Sequence, residues 1–381
     1  MASGKKTICG YEWSDVYSAL FRSIGNGDMN RAQRWAAELL CSETGVSRLE
    51  AVLLAAWGEH VSSAQAKWPA VWHAQIATLR SEFIRAGGDS RTFRNNPTIR
   101  NKIAECVGYL VVSAKRPRPA MPKQTDIYKE ADVVKARLAG GGASHDQVST
   151  GRVWDTREDA PTMRTLGNEL ESAIRTGQTT RALFWIVWIL TLDGQKTHPV
   201  IKERAPTTCT GKTRKSLCWY ILALLDDMAQ HGLDLNNCVH QTIELTKTVW
   251  MRLGSRYRKD LLGTIVVLLC ERVRSGPIEV CLPHETIDTK PVRAAIEDID
   301  SIYEELARDI KAVPATATAE TAASAPGTNS IVETAASATK ALRAAKKAAR
   351  EANAVQINMS NAKMEQSYKT MRRLYGMDDE D

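Results

Sequence analysis

SALFRSIGNGDMNRAQRWAAELL, residues 18–40, returns 150 positions later as NELESAIRTGQTTRALFWIVWIL, residues 168–190. At that one offset Leu20 matches Leu170, Ile24 matches Ile174, Gly27 matches Gly177 and Arg31 matches Arg181, while Ala32, Trp35 and Leu40 match Ala182, Trp185 and Leu190. Seven identities in 21 gapless positions are more than coincidence supplies, so the chain reads as carrying one unit twice. Within the unit, Ser14 is a plausible N-cap, Val16, Leu20 and Ile24 fall at helical spacing, and Gly25-Asn26-Gly27-Asp28 stops the helix. Asp28 then caps a second helix whose stripe is Ala32, Trp35, Ala36, Leu39 and Leu40. The stretch predicts two antiparallel helices joined by a tight turn.

Working outward, the spacing predicts a third helix over 48–64 with Leu49, Val52, Leu53, Ala56 and Trp57 inward. A fourth runs from Trp68-Pro69 through Trp72, Ile76, Leu79 and Phe83 to Gly87-Gly88. The loop SRTFRNNP leads to a fifth from Pro97, with Ile99, Ile103, Val107, Leu110 and Val111 stepping by three and four. Residues 114–150 break the pattern with AKRPRPAMPK, a short polar helix over 127–138, and AGGGAS, a composition suited to a linker. In the second unit the helix at 183–190 is continuously apolar and predicts burial on all sides. After an insertion at 193–213, helices are expected over 215–230, 239–251 and 261–273, the last preceded by the loop RLGSRYRKD. Aligning Arg100 with Arg258 places Ile103 on Leu261, Val107 on Ile265 and Leu110 on Leu268, which extends the repeat to its closing helix. Residues 291–311 predict one more amphipathic helix.

The expected fold class is therefore all-α: two tandem helical-bundle repeats and a disordered, Ala-rich C-terminal tail with a short basic helix. The divisions are 1–113 for the first repeat, 114–153 for the linker, 154–312 for the second repeat, and 313–381 for the tail. From Pro314 to Thr339 the residues are mostly Ala, Thr, Ser, Glu, Pro and Gly, too little apolar surface to offset ordering entropy. The basic helix, about 336–355 by the same pattern reading, sets Lys340, Arg343, Lys347 and Arg350 on one face, and the chain ends in the acidic run 378–381.

Composition narrows the function class. The chain has 381 residues, 43% hydrophobic content and a formal charge of +7, a mild attraction to polyanions that also serves plain solubility. Its eight cysteines lie far apart without a C-x-x-C, so they read as reduced thiols and not as a disulfide framework. No apolar run reaches the roughly 18 residues of a membrane span. A soluble, intracellular protein without membrane contact is expected.

The motif that most invites a chemical reading is Thr207-Thr208-Cys209-Thr210-Gly211-Lys212-Thr213, followed by ILALLDD. A working phosphate loop needs glycine five positions before Gly211, where the backbone meets the phosphates, and this chain has Pro206. The GKT at 211–213 is read as a surface loop before a core helix, and no enzyme activity or cofactor is expected. Among the seven histidines only His240 has a neighbouring ligand type, Cys238, and two ligands do not make a zinc site. The tryptophans could stack on bases, but Trp35, Trp57, Trp72, Trp185, Trp188, Trp219 and Trp250 sit at helical spacing with Leu and Ile and are expected in the core. The basic clusters fit a function better. Arg91, Arg94, Arg100 and Lys102 surround the start of the first unit's closing helix, and Arg252, Arg256, Arg258 and Lys259 occupy the equivalent place in the second. Cations beside a helix N-terminus suit phosphate, and a solvated loop would look similar. Lys115, Arg116, Arg118 and Lys123 in the linker are further candidates.

Ser18, Ser23-Ile24, Gly27-Asp28, Ala32 and Trp35, with TIRNKIAECVGYLVVSAKRP at 98–117, resemble the helical collar that follows the ATPase module in Werner-helicase-interacting AAA proteins. That family includes bacterial replication-associated recombination protein A and is related to clamp loaders. The resemblance covers about 100 residues per copy on short motifs, a span within the usual size of one domain. This chain lacks the ATPase domain, and Trp57-Gly58-Glu59-His60 stands where the family has an acidic, glycine-ended signature. The resemblance implies an oligomerising or DNA-associated scaffold without ATP-driven work. Two fused collar-like modules with a tail also look like a large-DNA-virus product, a replication accessory or a virion component. Two functions follow as expectations: a non-enzymatic DNA-associated adaptor that holds phosphate on its basic loops, or a structural protein that self-associates through helical surfaces with the tail as a tether.

Overall fold

The structure is a computed structural model of the chain. It describes residues 6–42, 45–85, 87, 90–123, 127, 134, 147–195, 198–207, 209–233, 238–272 and 288–312. Every regular element among them is helical, so the chain is all-α. The first half contributes α1 (Trp13–Asn26), α2 (Met29–Cys41), α3 (Gly45–His60), α4 (Trp68–Arg85), α5 (Ser90–Asn95) and α6 (Pro97–Val112). The second contributes α7 (Val148–Val153), α8 (Pro161–Arg175), α9 (Thr179–Asp193), α10 (Cys218–Met228), α11 (Cys238–Val249) and α12 (Ser255–Glu271), followed by α13 (Lys290–Glu297) and α14 (Ile299–Ala312).

The turn in the repeated stretch closes identically in both halves. Gly27 and Gly177 take left-handed φ values of 73° and 71°, which glycine adopts without a Cβ penalty. The Gly27 N–H donates to Ile24 and the Asp28 N–H to Ser23; 150 residues on, the Gly177 N–H donates to Ile174 and the Gln178 N–H to Ala173. Each pair satisfies carbonyls that the helix end would otherwise leave open. Asp28 caps α2 as its sequence indicates, accepting from the Arg31 N–H at 3.1 Å. Ser14 does not cap α1; the helix begins a residue earlier with Glu12 at its N-cap.

Helix neighbours also correspond. α2 lies against α1, α3 and α6, as α9 lies against α8, α10 and α12; α1 meets α3 and α6 as α8 meets α10 and α12; and α4 joins α3 to α6 as α11 joins α10 to α12. The halves are not separate bodies, because α3 packs on α12 and α4 on α11, within one compact unit of residues 1–124 and 142–313. Residues 291–311, a single helix by periodicity, are the pair α13 and α14, which cover α2 and α6 of the first half. The remaining unit comprises 125–141 and 314–381, where only Ile127 and Val134 are described, both buried. The tail and its basic helix with Lys340, Arg343, Lys347 and Arg350 lie outside the described residues.

Tryptophan fills the core as its spacing predicts: Trp57, Trp72, Trp185, Trp188, Trp219 and Trp250 are buried. Trp35 differs. It is half-buried, edge-on to Tyr11 at 5.5 Å, whereas its counterpart Trp185 is fully enclosed. The Trp57 indole N–H donates to the Gln65 carbonyl at 2.9 Å. Next to it, Gly58 lets α12 come close: a Cβ there would stand 3.0 Å from Leu261 Cδ2 and 3.2 Å from Thr264 Oγ1, and the Thr264 hydroxyl donates to the Gly58 carbonyl at 3.1 Å. The seven described cysteines are buried, and burial pushes the thiols of Cys9, Cys41, Cys106, Cys218 and Cys270 up, Cys41 and Cys270 to about 11.

Two buried carboxylates fasten the second half. Glu171 of α8 accepts from the N–H groups of Ser149 and Thr150 at 3.0 and 2.7 Å, from the Thr150 hydroxyl at 3.0 Å, and from Arg175 Nε at 2.7 Å, so it anchors the first turn of α7. Asp159 accepts from the Asp155 and Lys202 N–H groups and from Arg204, tying residues 198–207 to the start of α8. Burial alone would raise the Asp159 pKa; the Arg204 and backbone hydrogen bonds outweigh it and bring it below the ordinary value. A carboxyl depressed on folding stabilises above its unfolded pKa, about 3.9, and that contribution fades as pH falls through the folded value. Urea midpoints should therefore fall as the pH drops below about 4 in the parent, and Asp159→Asn should be less stable at neutral pH with a flatter acid limb. Equal acid slopes in the two proteins would refute the assignment.

Candidate nucleic-acid interface

The two basic clusters sit at equivalent helix starts. In the first, Asn96 caps α6 by accepting from the Thr98 N–H at 3.0 Å, and Pro97 takes the position where a missing N–H costs nothing. In the second, Gly254 precedes α12, which begins at Ser255. The segment RLGSRYRKD is therefore mostly the polar first turns of α12, not a loop, and SRTFRNNP is largely α5. Neither shows an apolar period: Phe93 is the buried side chain among those described in α5, and residues 255–260 of α12 are half-buried or exposed.

At both starts the central arginine is turned onto its own chain. Arg100 donates Nε to the Arg94 carbonyl at 2.8 Å and lies over the Tyr303 ring at 4.2 Å. Arg258 donates Nε to the Trp250 carbonyl at 2.8 Å and lies over that residue's ring at 5.5 Å. A guanidinium fixed by a backbone acceptor and an aromatic face has less to offer a ligand.

An acidic helix covers each cluster. Over the first, α14 brings Asp300 to Arg100 at 2.8 Å and Asp309 to Arg34 of α2. Against the second, α3 brings the buried Glu50 to Arg252 at 3.6 Å and Glu59 to Arg256 at 3.5 Å. Arg94 bonds the Cys41 carbonyl at the end of α2 at 2.8 Å, a cation at a helix C-terminus, and Lys102 bonds Gln75 at 3.2 Å. Arg91 belongs to α5, and its side chain is outside the described residues.

The linker cations close on the second cluster. Lys115 Nζ bonds the carbonyls of Leu110, Val111 and Ser113 at 2.8, 2.8 and 3.0 Å, which finishes α6, and burial lowers its pKa to about 8. Arg118 pairs with Asp260 in a mostly enclosed contact. Burial raises the Asp260 carboxyl against the pull of Arg118 and lowers Lys259, whose Nζ meets the Pro122 carbonyl at 3.3 Å. Arg116 bonds the His60 carbonyl through its backbone N–H at 2.9 Å, while its side chain is 62% exposed and only 3.4 Å from Glu271. Lys123 is exposed.

Compared with known proteins, the chain matches no family, no curated protein and no solved structure.

Of the candidate phosphate ligands, the structure thus turns Arg94, Arg100, Lys102, Arg258, Lys259, Lys115 and Arg118 largely to internal bonds. Arg116, Arg252 and Arg256 instead stay 62%, 40% and 74% exposed in ion pairs, Arg252 and Arg256 with Glu50 and Glu59 of α3 and Arg116 with Glu271 at the end of α12. The pairs of Arg116 and Arg256, partly exposed on both sides, are worth about 0–1 kcal/mol, little enough for a phosphate to displace, whereas the Glu50 partner of Arg252 is buried. The GKT segment is a 3₁₀ turn, Gly211–Lys215, whose Thr213 carbonyl accepts the Trp219 indole N–H at 2.7 Å, and α10 follows it.

Proposed function

We propose that the chain is a non-enzymatic, nucleic-acid-associated adaptor that meets the phosphate backbone through the exposed arginines Arg116, Arg252 and Arg256 along α3 and α12. The observation that supports it is that these guanidiniums stay exposed while Arg94, Arg100, Lys102, Arg258, Lys259, Lys115 and Arg118 are turned to internal bonds. The likeness to a clamp-loader collar is part of the same proposal. A site with two or three phosphate contacts has a shallow salt dependence, a slope of about −2 to −3 for duplex DNA. Electrophoretic or anisotropy titrations across salt should give that slope, and Arg116→Glu with Arg256→Glu should weaken binding by about tenfold or more. Arg258→Glu should instead destabilise the protein. Undetectable binding at about 20 mM salt, or binding indifferent to the double variant, would overturn the reading, because an electrostatic site is strongest at low salt.

A second reading, a structural protein that assembles through helical surfaces, is favoured by a specific observation. Arg100 at the start of α6 and Arg256 at the start of α12 each meet a carboxylate of another helix of the same chain, so these helix starts already dock helices. A mass above that of the monomer by light scattering, lost at high salt, would support it over the first.

A further inference from the structure

α10 runs into a π turn, Ala229–Leu233, before α11 begins at Cys238. Asp226 stands in the last turn of α10, and His240 and Glu244 lie four apart on one face of α11. One ligand atom from each falls within 4.8 Å of the other two, all three side chains being half-buried. Asp226 Oδ1 is 2.5 Å from His240 Nδ1. The Lys247 ammonium reaches into the same group, 2.9 Å from Asp226 Oδ2 and 2.6 Å from Glu244 Oε1. Gln230, carried by the π turn, places Nε2 at 3.1 Å from His240 Nδ1.

We propose that Asp226, His240 and Glu244 form a binding site for one divalent transition-metal ion, which displaces the Lys247 ammonium. An imidazole with two carboxylates suits zinc, cobalt or nickel better than magnesium or calcium, which prefer oxygen throughout. Bonds of about 2.0–2.2 Å in a tetrahedral site set ligand atoms about 3.3 Å apart. The 2.5 Å contact therefore opens and the wider ones close, by movements on the order of 1 Å that side chains at a helix end can make, with water in the fourth position. The group already favours a positive charge. With the one Lys247 ammonium set against the two carboxylates of Asp226 and Glu244, one carboxylate is left uncompensated. A π turn beside such a group is a recurrent companion of functional sites. Cys238, two residues before His240, is buried and not among the ligand atoms, so the site differs from any read from the C-x-H spacing.

The test is a titration of the full chain, without a histidine tag, with Co²⁺. One equivalent should bind with the weak visible bands of nitrogen and oxygen ligation and without a near-ultraviolet thiolate band, the described thiols being buried. His240→Gln and Glu244→Gln should each weaken binding by about tenfold or more. Lys247→Met should strengthen it, because the ion no longer competes with an ammonium, and it keeps the test decisive should His240→Gln unfold. The proposal fails if neither the parent nor Lys247→Met binds one equivalent saturably, if His240→Gln folds and binds as the parent does, or if a thiolate band accompanies binding.

Discussion

Glu171→Ala is expected to lower the unfolding free energy by about 3–5 kcal/mol, the cost of breaking a buried charged hydrogen-bond group from one side. The carboxylate is fully enclosed and serves the N–H groups of Ser149 and Thr150, the Thr150 hydroxyl and Arg175 together. Alanine leaves those donors facing a space without an acceptor, and each enclosed N–H so stranded costs about 1–3 kcal/mol. Glu171→Gln should cost about half as much, since its amide oxygen still accepts while its NH₂ meets donors. Urea unfolding followed by circular dichroism measures both, and Arg175→Ala provides the comparison, because Arg175 is partly exposed and can rehydrate. A loss under about 1 kcal/mol for Glu171→Ala would mean that α7 is not held by this carboxylate.

Trp57→Ala should cost a similar amount, about 3–5 kcal/mol. The ring is completely buried in α3 at the junction with α12, and its truncation removes both its packing and the donor to the Gln65 carbonyl. Its neighbour Gly58 leaves room for Leu261 and Thr264, which a Cβ there would meet at 3.0 and 3.2 Å, so the void opens where the halves of the chain meet. Trp57→Phe should recover most of the loss, falling short by about 1 kcal/mol for the missing hydrogen bond. The comparison is Trp35→Ala, half-buried on the surface of α2, which should cost less than half as much. Equal effects at the two positions would show that burial does not govern them.

The contrast between these tryptophans marks what the sequence could tell. Local grammar was readable: Gly27 and Gly177 in left-handed turns, Asp28 as a cap, and the apolar stripes of α1, α2, α8 and α9 all follow from rules spanning a few residues. Trp35 and Trp185 obey the same spacing, but which is enclosed depends on what packs above them. The basic clusters were visible as charge and not as partners, because Asp300, Glu50 and Glu59 lie 197 to 202 residues from the arginines they meet. The helix start at Ser255 was hidden for another reason, its first turns being polar and without period. His240 was paired in sequence with Cys238, its near neighbour along the chain. On a helix a residue two positions away points to another face, and Glu244, four away, shares the face.

The covering of α2 and α6 by α13 and α14 has a consequence for synthesis. A ribosome adding about 5–20 residues per second needs about 10–40 s to travel from the end of α6 to Leu306. During that interval the surface that will receive Val292 at Gly108 has no lid. The amino-terminal half therefore leaves the ribosome as an unfinished body, and its last layer arrives only with the final described helices. Nascent chains stalled between residues 113 and 290 should be the most prone to capture by chaperones, and those extended past 312 should be released.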